Sequence, residues 1–251
     1  MSDNAITFYD IPSKNDILWS PNTWKVRYIL NYKRIPYQTV MLEYPDIEPT
    51  MKKVGIAPTN TKPDGSPLYT LPAIWDPTTQ SGISNSPLIA QYLDETYPDK
   101  PLVFPPGTRT VQEPWNDMIY WPMFTPLLPF LRPKTTWILN QPSADYYRKY
   151  KSAIKMEDLY PSGEQKVIEW KKVEAAFDKL SGWFGKEDGL IMGRGSGTPV
   201  PTFADFALGA YLMWLKAIFG QQSEEWEDIA VKWNSGRWGR FLKMLEKYEQ
   251  F

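Results

Sequence analysis

Apolar and polar positions recur in a regular order along the first third of the chain. Residues 5–9 and 37–42 are typical of strands, and residues 22–33 between them have helical spacing. A short helix is predicted over residues 47–54. The proline-containing residues 55–67 then indicate a surface insertion. A strand, a helix and a second strand in this order predict a parallel pair joined by a crossover helix.

The next stretch, residues 69–98, organises this part of the chain. Pro72 stands at the front of a short β-type run, a position at which a strand tolerates proline. A tight turn and a second run ending at Ile83 predict a β-hairpin. Ser86 is predicted as the N-cap of a helix, with Pro87 at the first helical position. The complete order of elements is βαβαββα.

Beyond residue 98 the pattern predicts helices alone. Residues 98–107 hold four prolines and indicate a domain boundary. The predicted organisation is therefore an α/β domain at 1–98, a linker at 99–108 and an all-α domain at 109–251. Because prolines interrupt residues 111–131, the helix there is predicted to be kinked or broken. Amphipathic helices are predicted over residues 146–160, 164–184 and 226–248, with a glycine-rich loop over 185–201.

A further helix begins with Thr202 and Asp205, which have the spacing of a capping box in which Asp replaces the usual Glu or Gln. The residues that follow, up to Ile218, are apolar enough for a central and mostly buried helix. By contrast, the glycine-rich run Gly193–Thr198 lacks the Gly-Lys-Ser/Thr ending of a phosphate-binding loop, so it is interpreted as a connector.

Composition narrows the possible chemistry. The 251 residues include neither cysteine nor histidine, which excludes disulfides, Cys or His metal ligands, cysteine nucleophiles and Ser-His-Asp triads. No metal is expected, and any thiol must arrive with a ligand. A net charge of −1 without a long basic cluster argues against nucleic-acid binding. No leader or membrane-length apolar run is found, so a cytoplasmic protein is expected.

The proline-led strand, the hairpin and the Ser-Pro helix start resemble the second half of the thioredoxin-like domain of glutathione transferases. The resemblance implies a cis Pro72 and a main chain at Leu71 that pairs with the cysteinyl backbone of glutathione. It also implies that Asn85 and Ser86 receive the γ-glutamyl carboxylate, and a helix N-terminus suits that role. Lys52 is a candidate for the glycyl carboxylate, although an exposed lysine is more often simply solvated.

Ser20 lies between the first strand and the first helix, where the resemblance implies the catalytic group of a serine-type transferase. A hydroxyl there donates a hydrogen bond to a bound thiolate, and the helix dipole adds positive potential, so both lower the thiol pKa. Asn22 is a candidate for a second donor to the thiol. Read alone, either residue is better interpreted as a turn or capping residue, but the order of elements favours the catalytic role for Ser20.

The helical domain is expected to supply a flat apolar wall facing Ser20 for a second substrate. The candidate side chains are Trp19, Tyr120, Trp121 and Phe124, with Trp214 as a further candidate. Core packing is the competing role of each of them, and of Trp214 above all. Aromatic residues make up 15% of the chain, which also suits a non-catalytic, ligandin-type carrier of small aromatic or phenolic molecules.

The run from Trp19 to Trp24, the proline-rich insertion and the absence of cysteine are similar to fungal class A glutathione transferases of wood-degrading basidiomycetes, relatives of bacterial lignin β-etherases. The function implied is attack of the glutathione thiolate on hydrophobic, aromatic electrophiles, with glutathione as co-substrate. A homodimer is expected from the resemblance alone.

Overall fold

The structure is a computed structural model that describes residues 4–151, 159–185, 189–192 and 200–250. Its first half is a thioredoxin-like α/β unit. The elements in chain order are β1 (Ile6–Asp10), α1 (Pro21–Lys33), β2 (Tyr37–Met41), α2 (Tyr44–Lys53), β3 (Asn60–Thr61), β4 (Pro67–Leu68), β5 (Ala73–Asp76), β6 (Ser81–Ser84) and α3 (Ser86–Thr96).

The main sheet is mixed and has the strand order β2-β1-β5-β6. β1 and β2 are parallel, with Ile6 opposite Tyr37, because the crossover helix α1 joins them. β5 runs antiparallel to β1 and β6 antiparallel to β5. This confirms the predicted βαβαββα order. The insertion at residues 55–67 contains β3 and leads into β4, and the two form a separate small hairpin.

The start of α3 differs from the prediction by one residue. The N-cap is Asn85, not Ser86, which is the first helical residue. Asn85 has a φ of 79°, and its N–H donates to the carbonyl of Pro72 at 3.2 Å. A Ser-Pro pair fits the first two helical positions as well as it fits the N-cap and first position. α2 also begins early, at Tyr44 instead of residue 47, after the N-cap Glu43.

The second half is helical within its described residues. The predicted break over residues 111–131 is confirmed, because the π-helical turn Tyr120–Phe124 separates α4 from α5. The helices are α4 (Arg109–Ile119), α5 (Leu128–Ile138), α6 (Gln141–Lys151), α7 (Gly163–Ser181), α8 (Phe203–Phe219), α9 (Glu224–Glu227) and α10 (Arg237–Leu245).

A single helix over residues 226–248 is not observed. The segment is divided into α9, a π-helical stretch, a 3₁₀ turn, α10 and a terminal 3₁₀ turn. Asn234, Ser235 and Gly236 have positive φ angles of 50°, 56° and 76°, which an α-helix excludes. The amphipathic pattern therefore missed the turn that interrupts the helix.

α8 joins the two halves. It is buried along nearly all of its length and packs against α1, where Tyr28 and Phe206 stack with ring centroids 5.6 Å apart. At its start, the N–H and Oγ1 of Thr202 both donate to Oδ2 of Asp205 at 2.8 Å. The predicted capping box and the buried central helix are therefore confirmed.

Some predictions fall on residues outside the described ranges. The run Gly193–Thr198 lies there, as do residues 152–158 of the predicted helix at 146–160 and most of the loop at 185–201. Within the described ranges, none of the helices combines the length and apolar character needed to span a bilayer.

Candidate functional site

The loop between β1 and α1 is held by polar contacts on both sides. Asp10, at the end of β1, forms an ion pair of 2.8 Å with Arg27 of α1, and both side chains are buried. Ser13 closes the loop by accepting from the N–H of Ile17 at 2.9 Å and donating to its carbonyl. The N–H of Lys14 donates to the carbonyl of Ile138 at 2.8 Å, so the loop is also attached to the helical half.

Ser20 ends this loop as the N-cap of α1. Its carbonyl accepts from the N–H of Trp24 at 3.0 Å and from Oγ1 of Thr23 at 3.1 Å. Its side chain forms no capping hydrogen bond, although serine usually makes one at this position. The hydroxyl therefore makes no hydrogen bond with the helix, and Ser20 lines a cavity between this loop and the helical half.

The first cavity has a volume of about 730 Å³ and lies where β5, the start of α3 and the start of α1 meet. It contains five of the residues proposed from sequence to bind glutathione or its thiol: Asn22, Leu71, Pro72, Asn85 and Ser86. The Leu71–Pro72 peptide bond is cis, as expected. The sequence placed these residues up to 64 positions apart, and the fold brings them to one cavity.

The N-terminus of α3 gives this cavity a site for an anion. The N–H groups in the first turn of a helix have no acceptor within the helix. Ser86 and Leu88 carry such groups here, whereas Pro87 has no N–H. The side chain of the N-cap Asn85 makes no capping hydrogen bond, and the first turn holds no acidic residue. The positive end of the helix dipole also stabilises the negative charge of a carboxylate bound there.

Charged side chains line the other side of the first cavity. Arg109 donates through two nitrogens to Oε1 of Glu113, each at 3.0 Å, so these two side chains neutralise one another. Asp117, one turn further along α4, also lines the cavity. Sequence reasoning left the partner of the γ-glutamyl ammonium open, and Glu113 and Asp117 are the carboxylates that line this cavity.

Lys52 lies apart from the other proposed ligands. Its Nζ forms an ion pair with Oε1 of Glu48 at 2.7 Å, with 55% of the lysine side chain exposed. The hydrogen bond to Glu48 raises the pKa of Lys52. Lys52 does not line either of the two cavities described here.

The second cavity, of about 590 Å³, lies between Ser20 and the helical half. Trp19, Tyr120 and Trp121, which the sequence analysis named as candidates for a second-substrate wall, line this cavity together with Trp214. Phe124 does not: it is 0% exposed and packs behind the surface, with its ring centroid 4.5 Å from that of Tyr211. Other lining residues that sequence reasoning missed are Tyr44, Arg132, Tyr147 and Tyr211.

Four residues line both cavities and so mark their junction: Asn22, Lys25, Asn116 and Asp117. Lys25 is 2% exposed, and burial lowers the pKa of its amine to about 7, whereas Asp117 raises it. Sequence reasoning missed Lys25. The available signal was its position three residues after Asn22, which places both side chains on one face of α1.

Two family models match the chain. One described as "Glutathione S-transferase, N-terminal domain" matches residues 19–96, and one described as "Glutathione S-transferase, C-terminal domain" matches residues 110–248. A glutathione S-transferase-like protein of Aspergillus flavus is 30% identical over 247 residues, covering 90% of this chain and 85% of that protein.

Solved structures of basidiomycete proteins are similar over the full length. A glutathione S-transferase of Ceriporiopsis subvermispora, in complex with glutathione, is 39% identical with a TM-score of 0.90, and 99% of each chain is covered. A glutathione transferase of Phanerochaete chrysosporium is 33% identical with a TM-score of 0.89, and 98% of each chain is covered.

Proposed function

Since the chain belongs to the glutathione S-transferase family, we propose that it is a serine-type transferase whose second substrate is a hydrophobic, aromatic electrophile. The observation that carries the proposal is the arrangement of Ser20 and Asn22 at the start of α1, beside two adjoining cavities. The first cavity is lined by the residues proposed to bind glutathione, and the second cavity is lined by aromatic side chains. Glutathione is the co-substrate.

Glutathione is assigned to the first cavity. Its cysteinyl backbone pairs with the main chain of Leu71, and its γ-glutamyl carboxylate takes the N–H groups and hydroxyl at Ser86, beside Asn85. The carboxylates of Glu113 and Asp117 are assigned to the γ-glutamyl ammonium. Lys52 remains the proposed cation for the glycyl carboxylate, which requires it to exchange Glu48 for the ligand.

Ser20 acts on the thiol. Its hydroxyl donates a hydrogen bond to the thiolate sulfur, and the dipole of α1 adds positive potential at the same place. A thiol pKa one to two units below the usual value of about 8.5 corresponds to roughly 1.4 to 2.7 kcal/mol. The sulfur then attacks the electrophilic carbon. A C–S bond forms, the leaving group departs with its bonding electrons, and the thiol proton has already gone to solvent.

The decisive experiment compares wild type with Ser20→Ala. Ultraviolet absorbance follows the thiolate of bound glutathione against pH, while conjugation to 1-chloro-2,4-dinitrobenzene is measured in parallel. We expect the wild-type thiol to titrate one to two units below free glutathione. In Ser20→Ala both the shift and most of the turnover are lost. Ser81→Ala, on strand β6 outside both cavities, is the matched control and keeps both.

A ligandin-type carrier of aromatic molecules is the second candidate. The observation that favours it is the number of aromatic rings lining the second cavity: Trp19, Tyr44, Tyr120, Trp121, Tyr147, Tyr211 and Trp214. If the bound thiol titrates like free glutathione and turnover is negligible, while phenolic ligands quench tryptophan fluorescence at micromolar concentration, the carrier function replaces the transferase function. Trp121→Ala then weakens phenol binding several-fold.

The remaining proposals concern assembly and location. The resemblance to glutathione transferases implies a homodimer, and light scattering after size exclusion would give twice the mass of one chain. A cytoplasmic location is also proposed, and fractionation of the source cells tests it.

A further inference from the structure

Lys25 occupies an unusual place in the molecule. It projects from α1 at the junction of the two cavities, and it is the cationic member of the four residues that line both. It is also buried, with 2% of its surface exposed. Lysine is rarely buried unless its charge is paired, because the ammonium loses its hydration.

The contacts of Lys25 form a chain of hydrogen bonds across three helices. Its Nζ donates to Oδ1 of Asn22 and to the hydroxyl of Tyr211, each at 3.1 Å. Tyr211, on α8, donates in turn to Oδ1 of Asn116 on α4, also at 3.1 Å. Nζ lies 4.5 Å from the centroid of the Tyr211 ring as well. Within the described ranges, no carboxylate lies at ion-pair distance from Lys25.

This geometry determines which way the amide of Asn22 faces. A protonated lysine has hydrogen-bond donors and no acceptor, so the atom of Asn22 that faces Nζ is its oxygen. The two N–H groups of the same amide then lie on its other side. Asn22 is exposed and lines both cavities, so these donors are available to a ligand.

We propose that Lys25 is a positioning residue for the thiolate: its ammonium orients the Asn22 amide towards the sulfur and places a positive charge at the junction of the cavities. The proposal rests on the proposed function, since it assigns a role in that reaction. It explains why a cation is buried here between neutral partners. An apolar side chain would fill the same space at lower cost.

The amine of Lys25 gains or loses its proton near neutral pH. Burial lowers the pKa of this amine to about 7. The titratable groups that line the two cavities with Lys25 are Tyr44 of α2, Arg109, Glu113 and Asp117 of α4, Tyr120 of the π-helical turn, Arg132 of α5, Tyr147 of α6 and Tyr211 of α8. Asp117 raises this pKa. Burial raises the pKa of Tyr211, so the phenol stays neutral.

Thiolate and ammonium stabilise one another by the same free energy in both directions, because binding equilibria are reciprocal. A bound thiolate therefore raises the pKa of Lys25, and the protonated lysine lowers the pKa of the thiol. The pH dependence of kcat/KM for the electrophile at saturating glutathione is bell-shaped, because the productive state combines an ionised thiol with a protonated Lys25 that holds the Asn22 amide towards the sulfur. It rises as the thiol loses its proton and falls at higher pH as Lys25 loses its own.

The test uses two replacements of Lys25. In Lys25→Arg the cation is permanent, because guanidinium stays charged throughout the range. The rising limb of kcat/KM remains and the fall at alkaline pH disappears. In Lys25→Met the titration of the bound thiol moves upward by about one unit, corresponding to tenfold less thiolate below its pKa. Lys179→Met, an exposed position on α7, is the control and keeps the wild-type profile.

Affinity for S-methylglutathione, whose sulfur cannot ionise, separates this proposal from the proposed function. We expect it to change less than threefold in both Lys25 variants. If wild type neither binds this ligand nor shows turnover, the proposed function fails. If wild type does both, but Lys25→Arg keeps the alkaline fall or Lys25→Met leaves the thiol titration unchanged, only the role of Lys25 is overturned.

Circular dichroism establishes whether Lys25→Met folds, and Tyr211→Phe extends the test if it does not. This variant keeps the ring and removes the hydroxyl that accepts from Lys25. Loss of this acceptor lowers the pKa of Lys25. The fall of kcat/KM at alkaline pH therefore lies at lower pH in Tyr211→Phe than in wild type. An unmoved limb in Tyr211→Phe contradicts the proposal.

Discussion

Asn85 and Ser86 illustrate how much a single residue contributes to the first cavity. The N–H of Asn85 donates to the carbonyl of Pro72, which ties the start of α3 to the start of β5. Ser86 is 7% exposed, begins the helix and lines the cavity. A hydroxyl and a free N–H on one residue suit a ligand carboxylate, because both donate.

Ser86→Ala is predicted to weaken glutathione binding by about tenfold or more, because a hydrogen bond to a charged group contributes about 1.5–3 kcal/mol. Isothermal titration with S-methylglutathione measures the change without interference from thiol ionisation. Ser84→Ala is the matched control two residues earlier, since its hydroxyl donates to the carbonyl of Ala57 and does not line the cavity. An unchanged affinity in Ser86→Ala would contradict the assignment of the γ-glutamyl carboxylate.

Among the elements, α8 depends most on one buried carboxylate. Asp205 accepts from Thr202 through N–H and Oγ1, and from the N–H of Ile191 at 2.6 Å. Burial raises the pKa of Asp205, while these hydrogen bonds act in the opposite direction. They therefore offset the cost of keeping the charge inside. The helix whose start they organise packs along α1, behind Ser20 and Lys25.

Asp205→Ala is predicted to lower the free energy of unfolding by about 2–4 kcal/mol, because it removes the cap of α8 and leaves the buried N–H of Thr202 and the partly buried N–H of Ile191 without acceptors. Urea unfolding followed by circular dichroism measures this loss. Asp145→Ala, at an exposed position on α6, should change stability by no more than about 0.5 kcal/mol. A comparable effect in both variants would mean that the capping arrangement is not the source of the stability.

On the scale of the whole molecule, Asp94 links the two halves. It forms a 2.6 Å ion pair with Lys33, whose side chain is 0% exposed, and accepts from the N–H groups of Val103 and Phe104. The carbonyl of Val103 then accepts from the N–H of Phe203 at the start of α8. One carboxylate thus connects α1, α3 and the segment that leads into the helical half.

Asp94→Ala is predicted to destabilise the protein by about 3–5 kcal/mol, since it leaves the ammonium of Lys33 buried without its partner. Tryptophan fluorescence and circular dichroism during urea unfolding report on both halves. Asp99→Ala is the control, because that side chain is 72% exposed and its pair with Lys100 contributes little. A loss below about 1 kcal/mol in Asp94→Ala would show that the ion pair is not a main link between the halves.

Local pattern was sufficient for most elements and for several residues of the site. Strand alternation, helical spacing and proline positions predicted the order of the α/β half and the break between α4 and α5. Ser20, Leu71 and Pro72 could be proposed from the sequence because each stands directly before an element begins, where the chain neighbours determine the local geometry. Family resemblance then supplied the roles that the pattern alone left open.

Contacts between distant positions required the folded chain. Lys25 and Tyr211 are 186 residues apart, and sequence spacing does not report which face of α1 meets which face of α8. Phe124 reads as an aromatic wall residue, yet it is fully buried because Tyr211 and Trp214 pack over it. Periodicity specifies which positions of a helix are apolar. Packing between elements decides which of these positions become core, and which polar ones meet at the junction of the two cavities.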